Sequence, residues 1–565
     1  MVRLGQRDTR PEWLIALFAL GILGVGLGLR DPWPADEPRF VLIARQMWES
    51  GDWLFPMRGN EHYPDKPPLF FWLLNGAFAL TGSWRTAFLL PALLSALLTL
   101  WMLHDLVRRL HGVRAARLAA VTLLVVVQFA FQMKRAQIDP VLLALMTAAH
   151  YGLLRHLLLG PAFGWAAFGA FCAGLATITK GVGPLSLLLL LSTALAARRW
   201  PRRLPVVPWR DVRWLAVAAA FLVALALWLV PLLVAAHGDA ARMDYVRQIL
   251  LGQTAQRYLA PSSHVQPFWY FGPIMVLQWL PLSLLLPWLL PAWRRRLRRG
   301  DGRLAAILLQ LLLVLLFFSL SPGKRDVYIL PLLPLAVLAA APLLPGLMRH
   351  SLARNVLWGF SFLVAMLLCV AAFWGAFGEP GWATRNAVLA ELKPWGVLGL
   401  MGGGALALVV ICGRARWRTL AWPLVLLWLF SILAFAVFPR VDPQSSARAL
   451  MRDVGAQIGS GAELGLLSWK EQNLLQADRP AVVFGFLRNR AAQELDAVAW
   501  LREAPEQRWL LVQAINLEAC FDAAKATLAG TSNRRQWWLV RADALLPMCR
   551  PHPESARRDR RVADF

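Results

Sequence analysis

Charge is scarce in this chain. Of its 565 residues, 58% are hydrophobic and only 16% are charged, which lies outside the range of an ordinary soluble domain. Familiar catalytic signatures are missing as well. There is no CxxC pair, no HExxH and no Walker-type loop, so dithiol redox, zincin and P-loop chemistries are excluded and no nucleotide cofactor is expected. No internal repeat is visible, which argues against the repeat architecture common in secondary transporters. The first apolar run lacks a small-residue cleavage site and is expected to remain as a first helix. Cysteine is rare. Cys172, Cys369 and Cys412 lie in apolar runs as packing residues. Cys520 and Cys549 would pair if the tail faces an oxidising compartment, a point the sequence leaves open.

What the chain does have is one apolar stretch after another, each of about 20 residues, the length that crosses a hydrocarbon core of roughly 30 Å. The net charge of +26, from 59 basic and 33 acidic residues, would suit a nucleic-acid partner. Its distribution does not. The arginines cluster in short loops, Arg108–Arg117, Arg198–Arg213, Arg294–Arg303, Met348–Arg354 and Arg414–Arg418, as they do on the cytoplasmic side of membrane proteins. Some of them would meet anionic lipid headgroups. Placing every cluster on one side gives about 13 crossings, with a cytoplasmic N-terminus and an external C-terminus. Segments 115–132, 267–293 and 327–346 are read as single spans. "PLFFWLLNGAFAL", Pro68 to Leu80, is too short to cross and is expected to lie at the interface. The expected architecture is an all-α polytopic membrane domain, 1–438, followed by a small external α/β domain, 439–565, with strands at "WLLVQAI" and "WWLVRA". Within the membrane domain, 31–85 and 237–266 are external loops.

This topology separates arginines explained by insertion from charges that are not. Asp36, Glu37, Arg39, Asp65, Lys66, Asp139, Lys324 and Arg325 all fall near the external face. Ionisable groups at a membrane boundary are costly and point to function. Arginine and lysine there suit a lipid phosphate, and carboxylates suit proton transfer or charge balance. The competing reading is that each merely anchors a helix end, or, for Asp139 before Pro140, caps one.

Five motifs occur in order: "ADEPRFVLIARQM…SGDWLFP", "YPDKPPLFFW", "KRAQIDPVLLAL", "HVQPFWYFGP" and "SPGKRDVYILPLLP". Through them the chain resembles the membrane glycosyltransferases of the GT-C fold in the protein-mannosyltransferase group (family 39), and within it the transferases that place aminoarabinose on lipid A. The resemblance implies an inverting transfer of a sugar, 4-amino-4-deoxy-L-arabinose first, from undecaprenyl phosphate to lipid A at the periplasmic face of a bacterial inner membrane, by a monomer. Transfer of mannose, galacturonic acid or another sugar to core, another glycan or protein is the alternative, and a lipid-linked sugar flippase is the rival of another class. By resemblance, Asp36 is the main catalytic carboxylate, with Glu37 and Asp139 as further carboxylates. Lys66, Tyr63, Tyr328, Arg39, Arg257 and Lys324 are substrate-binding. Asp65 and His264 are candidate ligands for a divalent metal such as zinc. Relatives commonly carry "YFEKPP", with glutamate where this chain has Asp65.

Overall fold

The computed structural model describes residues 12–202, 204–251, 264–378, 394–547 and 549. It divides into two compact units. Of the described residues, the first takes 12–27, 89–378 and 394–434, and the second takes 28–88 and those from 435 onward. The sequence reading grouped 31–85 with the membrane helices, whereas here that segment packs in one unit with the C-terminal region.

The first unit is helical. Among the described residues of the whole chain, six helices are long and apolar enough to cross a membrane, and seven if the bent pair Phe271–Gln278 and Leu282–Arg298 counts as one. Three segments expected as single spans are interrupted, each for a local reason. The segment 115–132 breaks after Val113–Leu124, where Val127 N donates to the Leu280 carbonyl at 2.9 Å instead of to its own helix. The segment 267–293 bends by 95° at a stretch containing Pro281 and Pro287, which have no N–H to give. Pro331 and Pro334 likewise limit 327–346 to a 3-10 turn, Asp326–Leu332, before helix Leu333–Ala340.

Helices Ile138–Leu159 and Phe163–Lys180 form an antiparallel hairpin in this unit. Two glycines set its spacing. A Cβ on Gly152 would stand 2.4 Å from the Trp165 carbonyl oxygen, and one on Gly169 would stand 2.8 Å from that of Ala149. Close backbone approach at mid-hairpin brings the start of one helix beside the end of the other.

The second unit begins with helix Glu37–Ser50, stopped by Gly51 in the left-handed region (φ 71°). Phe40, Ile43, Ala44 and Met47, which share one helical face, are all buried. Phe40 packs edge-on against Phe70, 5.4 Å between centroids, on helix Leu69–Thr81, the 13-residue apolar helix expected from "PLFFWLLNGAFAL". A two-residue hairpin joins them, β1 (Met57–Arg58) with β2 (Glu61–His62). The C-terminal region adds β3 (Glu463–Leu466), β4 (Ala481–Val483), β5 (Arg508–Gln513), β6 (Thr527–Ser532) and β7 (Arg535–Val540). They form one mixed sheet in the order β4-β3-β5-β7-β6, with β3 parallel to both β4 and β5 and β7 antiparallel to β5 and β6. The two expected strands are β5 and β7. Leu510, Val512, Val540 and Leu501 fill its core, and Cys520 is bonded to Cys549.

Candidate active site

Each unit carries its own cluster of the expected residues. In the second unit, Pro38 at the helix start and Glu37 before it fix how the chain enters Glu37–Ser50. The two acidic neighbours have different surroundings. Glu37 is buried. Its carboxylate takes two bonds from Arg30, at 2.5 and 2.8 Å, and one from the Trp33 amide at 2.9 Å. These bonds clamp the chain that follows the first helix. Asp36 sits at the N-cap without capping. It is the more open of the two, with its side chain 21% exposed and 3.6 Å from Arg39.

Arg39 has a second partner that sequence reasoning missed. Its Nε donates to Glu471 Oε1 at 2.7 Å, and Arg58 Nη1 lies 3.9 Å from the same oxygen. Glu471 opens a short helix just before β4, and nothing in its local sequence ties it to Arg39. Burial works against the Arg39 charge, but Glu471, then Tyr63 and Asp36, hold its pKa above the ordinary arginine value. Arg58 in turn lies over the Tyr63 ring at 5.4 Å. Tyr63 is buried, and burial first, then the negative charge of Asp65, pushes its pKa upward. The phenol therefore keeps its proton at neutral pH.

The "YPDKPP" corner follows. Tyr63 N donates to the Pro56 carbonyl at 2.8 Å, and Lys66 Nζ reaches back to the Asp65 carbonyl at 3.0 Å. Helix Leu69–Thr81 starts after Pro67 and Pro68, and a proline disfavours helical backbone in the residue before it. Lys66 is thus held at the mouth of an apolar helix.

The first unit supplies the second cluster. Asp139 lies in the first turn of Ile138–Leu159, but Gln137 is the cap, so the capping reading of Asp139 fails. Its carboxylate instead accepts from Lys180 Nζ at 2.5 Å, across the glycine-spaced hairpin. Lys180, unassigned from sequence, also lies 5.3 Å from the Tyr328 ring. Lys324, expected at a phosphate, is buried and donates to the Gln266 carbonyl at 2.8 Å, while its amide donates to the His264 carbonyl at 2.9 Å. It fastens the 264–266 segment. Lys134 bonds the carbonyls of Ile22, Leu23 and Val25 and so anchors the first helix. Arg257 lies outside the described residues.

The metal candidates do not assemble a site by themselves. Asp65 belongs to the second unit and His264 to the first, and among the described residues no group of three or more His, Cys, Asp or Glu side chains could hold an ion. Zinc sites take three or four protein donors. Among the described residues no such set is present, and no step below runs through a metal.

Known proteins extend this geometry. A family model for dolichyl-phosphate-mannose-protein mannosyltransferases matches residues 65–230. The undecaprenyl phosphate-alpha-4-amino-4-deoxy-L-arabinose arabinosyl transferase of Edwardsiella ictaluri (strain 93-146) is 32% identical over 78% of this chain and 80% of its own length. The chain belongs to the aminoarabinose arabinosyl transferase family. A second family member, from Pseudomonas aeruginosa (strain UCBPP-PA14), is 31% identical over 76% of this chain and 77% of its own. The fold of the family is that of ArnT from Cupriavidus metallidurans, solved bound to undecaprenyl phosphate. That structure matches with a TM-score of 0.75 at 20% identity, covering 95% of this chain and 99% of that one. The likeness fixes a polytopic helical glycosyltransferase fold, as the motifs implied.

Proposed function

We propose that this protein transfers 4-amino-4-deoxy-L-arabinose from undecaprenyl phosphate to lipid A at the periplasmic face of the inner membrane. The observation that carries this reading is the family membership, with a relative of that printed activity 32% identical over 80% of its length. The geometry supplies the chemistry. An acceptor oxygen of lipid A attacks the anomeric carbon, the bond from that carbon to the undecaprenyl phosphate oxygen breaks, and the configuration inverts through an oxocarbenium-like state. Undecaprenyl phosphate leaves as an anion and needs no strong general acid. Lys66, at the head of an apolar helix, and the Tyr63 hydroxyl are suited to stabilising the charge that develops there. Asp36 removes the proton of a hydroxyl acceptor or, for a phosphate acceptor already anionic, balances the positive charge at the sugar. Arg39 holds Asp36 in place, and Asp139, paired with Lys180, serves as the second carboxylate.

The finer topology belongs to the same reading: 13 crossings, a cytoplasmic N-terminus and a periplasmic sheet domain. The shorter apolar helices Trp13–Gly24, Asp326–Ala340 and Trp395–Ile411 support extra crossings, and the Cys520–Cys549 disulfide supports an oxidising compartment. The protein-mannosyltransferase match over 65–230 keeps a second reading, transfer to protein, within the experiment. Mass spectrometry of lipid A from cells with and without the gene decides. An added aminopentose on lipid A is expected. Unchanged lipid A with newly glycosylated protein would overturn the first reading in favour of the second.

A further inference from the structure

The arginine-rich loops of the first unit do more than sit at helix ends. A cavity of about 1010 Å³ opens among them. Arg202, Arg295, Arg296, Arg299 and Arg303 line it with His111, and among the described lining residues Asp301 is the one carboxylate. These side chains come from four separate stretches: the end of helix Leu90–His111, the loop after Leu188–Arg199, the last turn of Leu286–Arg298 and its exit, and the start of Gly302–Leu320. Asp301 is already engaged. Its Oδ2 accepts from Arg296 at 2.6 and 2.9 Å, and its side chain caps Leu304 N.

The wall is built, not incidental. Gly302 N donates to the Arg202 carbonyl at 3.0 Å, and Arg202 Nη1 donates to the Arg299 carbonyl at 3.3 Å. Gly302 has no space for a side chain, because a Cβ there would stand 2.0 Å from the Trp200 carbonyl oxygen. This close approach carries Arg202 to the arginines after Leu286–Arg298. Anchoring a membrane protein asks only that arginines lie near helix ends. It does not ask them to converge from three stretches onto one concavity, where like charges repel. Leu110, Ala292 and Leu343 supply apolar wall beside them, and the helix leading in carries Trp288 and Trp293 among apolar neighbours. Guanidinium groups next to hydrocarbon fit an amphiphile with a phosphate head, and the volume is at the upper end for a small-molecule site.

We propose that this cavity binds the headgroup of an anionic phospholipid bearing two phosphates, held by bidentate arginine contacts. Free inorganic phosphates share the chemistry, so the test separates the two sources. The full chain is purified in neutral detergent and examined by native mass spectrometry with added diphosphatidylglycerol or phosphatidylcholine, and by melting with added pyrophosphate. At least tenfold preferential retention of diphosphatidylglycerol is expected. Arg295→Gln with Arg299→Gln should abolish that preference, and the exposed pair Arg414→Gln with Arg416→Gln, which removes the same charge elsewhere, should keep it. Arg295→Lys with Arg299→Lys preserves the charge that directs insertion, so a well-folded variant with weakened retention is available if the glutamine pair fails to fold. Equal retention of both lipids, retention unchanged in the lysine variant, or stabilisation by pyrophosphate without lipid preference would overturn the proposal.

Discussion

Glu471 holds Arg39 from 432 positions further along the chain, its Oε1 accepting from Arg39 Nε at 2.7 Å. The same oxygen faces Arg58. Glu471→Gln should therefore leave two buried guanidinium groups short of a counter-charge, and breaking a buried pair costs about 3–5 kcal/mol. Arg39 in turn positions Asp36, and a small displacement of a catalytic group is worth roughly 100-fold in rate. The expected result is a lower melting temperature and a fall in kcat of about 10- to 100-fold, with the donor KM little changed. Glu471→Asp should recover part of both. Wild-type kcat in a well-folded Glu471→Gln protein would remove Glu471 from the site.

Asp36→Asn tests the carboxylate proposed as catalytic. Asp36 is partly exposed and makes no cap, so expression and melting should stay near wild type while transfer to lipid A is lost. Glu37→Gln should do the reverse, because Glu37 clamps Arg30 in a buried pair. It should unfold the segment at lower temperature and reduce activity in proportion to the folded fraction. Reciprocal behaviour of the two variants, read by melting and by transfer assay, checks the division of labour between neighbours.

Asp139 and Lys180 form a pair whose side chains are 11% and 18% exposed. Asp139→Asn and Lys180→Met should each be strongly deleterious alone, because each strands the other charge. The double variant should cost less than the sum, with a coupling of about 1–3 kcal/mol in a double-mutant cycle. Additive losses would mean that the contact carries no weight.

Tyr63 yields a pH prediction. Its pKa is raised by burial first and then by Asp65, above the ordinary value of 10.0. The sign follows from linkage: the folded state keeps the proton that the unfolded phenol gives up. The stabilisation is complete below about pH 10 and is lost as pH rises from there through the higher folded value. Melting temperature should fall between pH 10 and 11, less steeply in Tyr63→Phe. Transfer by Tyr63→Phe should be slowed at every pH, with no change in the shape of the profile below pH 10, because the hydroxyl is a donor throughout.

The Cys520–Cys549 bridge spans a separation of 29 residues. In the chain-entropy account, closing such a loop contributes about 3.5 kcal/mol. Cys549→Ser, or reduction, should lower the melting temperature of the sheet region. The membrane helices should be unaffected, as limited proteolysis would report.

Much of this was legible in the sequence. Apolar length and loop arginines gave a polytopic membrane protein, and the five ordered motifs gave the family. The short helix after "DKPP" and the strands at Arg508–Gln513 and Arg535–Val540 followed from length and alternation. The prolines at 281, 331 and 334 were visible too, but the strength of the apolar runs around them concealed the breaks they cause. What pattern cannot reach is pairing across the chain. Lys180 reads as a helix end, yet the hairpin geometry set by Gly152 and Gly169 delivers it to Asp139. Glu471 reads as one polar residue among many in the tail. Lys324 reads as cationic and external, and its bond to the Gln266 carbonyl is likewise invisible in the sequence.

The β1–β2 hairpin has one more consequence. Gln46 brackets Gly59 through both its carbonyl and its amide, at 2.8 and 3.0 Å. Gly59 stands so near Trp469 that an added Cβ would be 2.7 Å away, and Glu61 accepts from the Leu487 amide at 3.1 Å. The stretch between Asp36 and Lys66 therefore completes these contacts only once the chain has been made as far as Leu487. A truncation ending at Ser445 would contain all six of the described helices long and apolar enough to cross a membrane and all five family motifs. It would still be a membrane protein, with the stretch from Asp36 to Lys66 left short of these partners.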